Sequence, residues 1–248
     1  KFALYENDKQ IVKLRFATDP KKTDDELAVE LYTIFNINHV DVKRIEGSII
    51  SSVVPAVTES LVKAIKTVTD NDSIVLGPGV KSGLDIRIDN PATLGSDIVA
   101  MCVAVKELYS CPAVIIGLGT ATTILYLNEK KCYIGGAISP GIGISLDALT
   151  NHGALLPSIE LQPPKKVINT NTEDCIRSGV ILGTASMLDG MIDRYNEEAG
   201  ACSTIVATGG LASAVIGNCK HEIIVNDDLV LEGLRFIFSR NSKTMRNS

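Results

Sequence analysis

Three stretches of the 248-residue chain combine residue types that can hold an anion or move a proton. The densest is Gly117-Leu118-Gly119-Thr120-Ala121-Thr122-Thr123. Glycines let backbone N–H groups approach a ligand closely, and threonine hydroxyls can donate to phosphate oxygens. No lysine follows and a strand comes next, so this is not the lysine-bearing phosphate loop that opens a helix. The same residues also suit a tight hairpin turn, with threonine present for its strand propensity. The second stretch, Thr208-Gly209-Gly210, reads as a strand end opening into a helix. It suits either an anion beside a helix N-terminus or a plain strand-to-helix turn. The third runs from Gly77-Pro78-Gly79 through Asp89-Asn90-Pro91 to Gly95-Ser96-Asp97. Such a long connection, rich in Gly, Pro, Asn and Asp, predicts defined turns with a functional purpose. Asp97 opens an apolar helix there. It serves either as that helix's N-cap or as a general base that takes a proton from a substrate hydroxyl.

The elements that must carry these residues follow from hydrophobic period. Phe2–Tyr5 and Ile11–Phe16 alternate about Glu6-Asn7-Asp8 and predict a hairpin. Thr23 with Glu26 has capping-box spacing, and Leu27, Leu31, Ile34 and Phe35 share a helical face. Ile49–Val54 predicts a strand ended by Pro55; Leu61, Ile65 and Val68 mark a second helix; Ser73–Leu76 is a short buried strand. A helix over Ser96–Leu108 closes the first half. In the second half, strands are predicted over Ala113–Leu118, Thr122–Leu127 and Cys132–Ile138. Helices follow from Ser139-Pro140-Gly141 to Leu149 and over Thr172–Tyr195. Strand Thr204–Ala207, strand Ile223–Val225 and helix Leu229–Phe238 end the pattern. The second half reads βββ, helix, helix, β, helix, β, helix; the first reads ββ, helix, β, helix, β, helix. If both derive from one unit, the first copy lacks its opening strand.

Composition narrows the function classes. Hydrophobic residues at 45% and charged residues at 21% are those of a globular chain. The formal net charge of −5 argues against a nucleic-acid binder, which needs a basic face. The basic stretch Arg240–Arg246 reads as a frayed terminus. No apolar run approaches membrane-span length and no signal segment opens the sequence. The six cysteines lie at least nine positions apart, which excludes a CxxC zinc pair and suggests reduced thiols in a cytoplasmic protein. Cys102 and Cys132 read as buried small hydrophobes. His39, His152 and His221 show no ligand spacing.

Taken in order, GPGVKSGLDIRIDNP, LGSD, GTATT, GGAISPGIGISLDALT, NTEDCIRSG and ATGG resemble the motifs of the type III pantothenate kinases, as does TDPKKTDDEL over Thr18–Leu27. The resemblance implies the sugar kinase, heat-shock ATPase and actin superfamily fold: α/β, with two ribonuclease-H-like domains, each a mixed β-sheet flanked by helices. Domains of 1–110 and 111–248 are expected, the first without its opening strand. The implied activity is ATP-dependent phosphorylation of pantothenate to 4′-phosphopantothenate, the first step of coenzyme A synthesis. A cytoplasmic homodimer using ATP, Mg²⁺ and a monovalent cation, K⁺ or NH₄⁺, is also implied. Carried over by motif, Asp97 is the catalytic base. Gly95, Ser96, Asp97 and Thr172 bind substrate. Gly119, Thr120, Gly209 and Gly210 bind ATP.

Three departures from the family pattern stand out. The family opens on an Asp-x-Gly-Asn-Thr strand and turn, and Lys1 falls just past it, so about a dozen residues, one strand and its turn, are expected to be missing. Gly117 stands where the family has an Asp that helps hold the monovalent cation, so no metal ligand is carried over. Ile98 replaces an Arg after the base, and Ile88 an aromatic. Lys81 and Arg87 are candidate substitutes for the absent guanidinium. These departures keep two other readings open: a non-catalytic binding or regulatory paralogue, and a kinase of another small hydroxylated substrate.

Overall fold

The computed structural model describes residues 1–6, 8–152, 159 and 161–245, with side chains at 150–152 and 243–245 undescribed. Asn7, Arg246 and the side chain of His152, all read above, therefore lie outside the described residues. In chain order the elements are β1 (Phe2–Glu6), β2 (Lys9–Leu14), α1 (Asp24–Ile37), β3 (Ser48–Ile50), α2 (Pro55–Thr69), β4 (Ser73–Val75), β5 (Asp85–Ile86), α3 (Ser96–Leu108), β6 (Ala113–Leu118), β7 (Ala121–Leu127), β8 (Cys132–Pro140), α4 (Ile142–His152), α5 (Thr172–Arg177), α6 (Gly183–Ala199), β9 (Thr204–Thr208), α7 (Ala212–Ile216), β10 (Ile224–Val225) and α8 (Leu229–Met245). A π-helical segment, Ser178–Leu182, joins α5 to α6. The chain divides into two units: Lys1–Gly83 with Asn90–Ala104 and Val230–Ser248, and Leu84–Asp89 with Val105–Leu229.

In the first unit, β1 and β2 pair antiparallel, with a register break between Leu4 and Tyr5. The predicted capping box at α1 is present. The Glu26 N–H donates to Thr23 Oγ1 at 3.2 Å, and the Thr23 N–H donates to Glu26 Oε2 at 2.9 Å. These bonds favour the charged carboxylate and hold the Glu26 pKa below its ordinary value. Ala28 and Leu31 of α1 pack with Ala64 of α2 beneath Phe2, Phe16, Phe35 and Ile65, and the Phe2 and Phe16 rings meet edge-on at 5.0 Å. Losing the cap by Thr23→Ala is expected to lower unfolding free energy by about 1 kcal/mol in urea titration. The depressed Glu26 pKa adds a sign. Its contribution is complete above the unfolded carboxylate pKa and is lost as pH falls through the folded value. The gap between wild type and Thr23→Ala is therefore expected to narrow in acid.

β3 and β4 pair parallel, with Ile49 opposite Ile74. The strand predicted over Ile49–Val54 is shorter than expected because its partner β4 leaves at Leu76, whose N–H bonds to Ile50 O at 2.8 Å. Among the described residues the two strand pairs are not joined, so the single mixed sheet expected of the first half is divided in two. Arg240 and Asn241 are not frayed. The Arg240 guanidinium donates to Ser82 O at 2.6 Å, and Asn241 exchanges hydrogen bonds with the Lys81 backbone at 3.1 and 3.3 Å.

The second unit holds one mixed sheet in the order β10-β9-β6-β7-β8-β5. Every residue of β6 is buried, which is why AVIIGL reads as an unbroken apolar run rather than an alternating one. β6 is antiparallel to β7 and parallel to β9. β5, within the long connection read as defined turns, adds parallel to β8. Val114, Ile116 and Ile124 of the sheet pack against Ile181, Leu188 and Ile192. The helical run Thr172–Ala199, 28 residues, is by length and composition long and apolar enough to cross a membrane. Its apolar face is spent on this core. The predicted single helix is interrupted by the π turn at Ser178–Leu182, a feature that often marks functional sites.

Candidate active site

Parallel pairing of β6 with β9 places Gly117 opposite Thr208, so the two glycine–threonine stretches, far apart in sequence, leave the sheet side by side. Both emerge at the carboxyl ends of these strands, where open α/β sheets bind ligands. The β6–β7 turn is held by the Gly119 N–H donating to Ala121 O at 3.1 Å, which leaves Gly119 and Thr120 exposed. Gly209 lies beneath, at φ +124°, with an added Cβ coming within 2.1 Å of Leu118 O. Gly210 is exposed beside it. The predicted helix dipole at this turn plays no part, because α7 spans only Ala212–Ile216. What remains is exposed backbone and a threonine hydroxyl, which suits phosphate oxygens.

Sequence reading placed Gly141 only at a helix start. Its N–H donates to Thr120 O at 3.0 Å, and an added Cβ would sit 2.2 Å from Thr120 O and 2.4 Å from Gly119 O. Gly141 thus clamps the turn from behind. The signal was present as the third glycine of GGAISPG, but the contact spans some 20 positions of chain.

In the first unit, α3 is anchored by a nearly fully buried run, Ile98–Val105. Its opening residues are positioned by Gly95 O, which accepts from the Val99 N–H at 3.1 Å, and by the hydroxyls of Ser96 and Ser51, 2.8 Å apart. Asp97 sits on this rigid base but is itself exposed. Its carboxylate has no hydrogen-bond or ion-pair partner among the described residues, so it does not cap α3. Gly95 leaves it room, since a Cβ there would fall 2.7 Å from Asp97 Oδ1. A free carboxylate on a fixed helix start, lining a cavity, can accept a proton.

Thr172 is placed differently. It begins α5, capped by Asn171 Oδ1 accepting from the Asp174 N–H at 2.9 Å. The Asn171 amide and then Arg177 hold the Asp174 carboxyl below the usual range. Thr172 opens onto a cavity of about 610 Å³ with Ser139, Cys175, Gly179 and Met187. The structure therefore groups Gly119, Thr120, Gly209 and Gly210, groups Gly95, Ser96 and Asp97, and sets Thr172 beside the π turn. Of the proposed stand-ins for arginine at position 98, Arg87 is engaged by Asp85 at 2.8 Å. That ion pair holds Asp85 low only after a hydrogen bond from Cys132 Sγ at 3.1 Å.

Among the described residues no three His, Cys, Asp or Glu side chains cluster as a metal site. Gly117, paired with Thr123 and Thr208, offers no side-chain oxygen. No step is therefore routed through a protein-held cation.

The second unit thus presents two glycine–threonine turns side by side on a mixed sheet, and the first unit presents a carboxylate, without a partner among the described residues, at the head of a buried helix. The type III pantothenate kinase family model matches residues 1–194. A type III pantothenate kinase of Halalkalibacterium halodurans is 38% identical over 238 residues, covering 96% of this chain and 94% of its own. One from Moorella thermoacetica is 42% identical over 231 residues, covering 92% and 90%. The chain belongs to the type III pantothenate kinase family. Among solved structures, a conserved putative Baf family transcriptional activator from Campylobacter jejuni is similar at TM-score 0.50 and 22% identity, covering 69% of this chain and 74% of that one, a likeness of fold.

Proposed function

We propose that this chain works as its family does, transferring the γ-phosphoryl of ATP to the primary hydroxyl of pantothenate through the groups described above. The product is 4′-phosphopantothenate and the step opens coenzyme A synthesis. The observation that carries the reading is the Asp97 carboxylate, exposed and without a partner among the described residues at the head of a buried helix.

Each group then has a task. Asp97 takes the hydroxyl proton as that oxygen attacks phosphorus and ADP departs. The Gly119–Thr120 turn and Gly209–Gly210 hold ATP phosphate oxygens by backbone N–H and by the Thr120 hydroxyl. Such contacts stabilise charge most when they are rigid beforehand, and the Gly141 clamp supplies that rigidity. Gly95 and Ser96 shape the turn that presents substrate to Asp97, and the Thr172 hydroxyl hydrogen-bonds pantothenate. Mg²⁺ bound with ATP would supply charge neutralisation at the phosphates, and K⁺ or NH₄⁺ would serve as the monovalent cation. We further assign two ribonuclease-H-like domains, 1–110 and 111–248 apart from β5, which adds to the second unit's sheet, and α8, most of which belongs to the first unit, together with a homodimer and action in the cytoplasm.

The test is ³¹P NMR of ATP and pantothenate with the purified chain, with calorimetric titration of each ligand alongside. A new phosphomonoester resonance that forms only when both substrates are present is the expected result. Gly117 and Ile98, which depart from the family pattern, favour one other reading, a non-catalytic binding protein. Both ligands binding without turnover would select it.

A further inference from the structure

Thr172 opens α5 at the tip of a peripheral loop, and burial does not hold it there, since no residue of α5 is buried. The polar contacts around it converge on one side chain, Asn169, in the segment leading into the helix. The Asn169 amide donates backward to Lys166 O at 2.9 Å and Val167 O at 3.4 Å, and forward to Asp174 O at 3.2 Å. Its two hydrogens are shared among these three carbonyls. The Asn169 backbone carbonyl accepts from Cys175 Sγ at 3.4 Å. Asn169 thus ties the segment entering the loop to the helix leaving it.

The base of the same loop is closed by the π turn. Ser178 is buried, and its Oγ donates to Val167 O at 2.7 Å. Val180 and Ile181 set that turn into the core of the second unit. A route therefore runs from the core through Ser178 to Val167, across Asn169, and into the first turn of α5. Asn171 caps that turn, but its side-chain bonds reach only Asp174. They fix the shape of the turn and not its place.

The place matters because of what Thr172 presents. Of the hydroxyls lining the cavity beside it, Ser139 Oγ is engaged with Met187 Sδ at 3.6 Å and Thr184 Oγ1 with Val180 O at 2.6 Å. Those of Thr172 and Ser145 have no partner among the described residues. Gly179 and Gly183 line the same cavity without side chains, and nothing lies within 4 Å of where one would begin. A hydroxyl that meets a ligand binds best when already fixed, because freedom lost on binding weakens the complex. We infer that Asn169 is a positioning residue, which holds Thr172 where its hydroxyl meets pantothenate. The inference rests on the proposed function. Asn169 lies outside the NTEDCIRSG motif, so the family resemblance assigns it no role.

The test is a double-mutant cycle on the intact chain, with Thr172→Val as the second arm. Two variants probe the brace: Asn169→Ala, and Asn169→Asp, which keeps the size of the side chain and loses its donors. Each is expected to raise the KM for pantothenate about tenfold, the scale of one misplaced hydrogen bond, with kcat and the KM for ATP unchanged. In the Thr172→Val background either substitution is expected to add nothing, the signature of two residues that act as one. Hydrogen exchange read by mass spectrometry without substrate is expected to quicken in α5 in both variants and to leave β6 as in wild type. Unchanged exchange in α5, an unchanged KM for pantothenate, or a full effect persisting beside Thr172→Val would overturn the inference. A wild-type chain that neither binds nor phosphorylates pantothenate would overturn the proposed function and, with it, the substrate named here. The exchange arm would still decide whether Asn169 places Thr172.

Discussion

Asp97→Asn is expected to lower kcat about 10²–10⁴-fold with little change in the KM for ATP. The amide keeps the shape of the carboxylate but cannot accept the hydroxyl proton. The fold should not notice. Asp97 is exposed and has no partner among the described residues, and a substitution at such a site stays within about 0.5 kcal/mol of wild-type stability. The buried run from Ile98 to Val105 holds α3 in place whatever stands at position 97. Asp97→Ala should behave alike, with stability again unchanged. A large loss of stability in either variant would mean that the carboxylate supports the helix rather than the reaction.

The second large effect separates the two roles of the glycines around the β6–β7 turn. Gly209→Ala is expected to cost about 3 kcal/mol or more in urea unfolding. The position sits at φ +124°, where L-residues are strained, and its Cβ would lie 2.1 Å from Leu118 O, a backbone atom that cannot swing aside. Gly119→Ala should be different. Its Cβ would find only Ala121 O, at an ordinary 3.8 Å. Stability should hold, while a methyl on the exposed turn raises the KM for ATP about tenfold, or about 1.4 kcal/mol of binding. Equal KM values for Gly119→Ala and wild type would remove the turn from the nucleotide site.

Much of this architecture is legible in the chain because its causes are local. Thr23 and Glu26 announce the start of α1 through bonds made within one turn, and AVIIGL announces a strand covered on both faces. The features that escape a sequence reading depend on distant partners. β5 is two residues long and is a strand only because β8 lies beside it. β3 stops early because β4 stops. The π turn at Ser178–Leu182 leaves the hydrophobic period of the helical run nearly intact. Arg240 looks like part of a charged tail until its hydrogen bond to Ser82 is seen.

The site shows the same division. Gly119, Thr120, Gly209 and Gly210 can be picked out by type, but only the parallel pairing of β6 with β9 makes them one surface. Gly141 is invisible as a site residue because its role is a close approach to a turn 20 positions away. Asp97 is ambiguous in sequence for a chemical reason: a helix cap and a general base ask for the same carboxylate at the same place. Hydrogen bonding separates the two, since a cap must accept a backbone N–H and this side chain accepts none among the described residues.

The most direct measurement is a single-turnover experiment on wild type and Asp97→Asn, following ³¹P in phosphopantothenate with both substrates saturating. Wild type is predicted to convert bound ATP to product, and the variant to bind both substrates while forming product at least a hundredfold more slowly. Product formed by the variant at the wild-type rate would contradict the assignment of the base, and with it the chemistry proposed for this site.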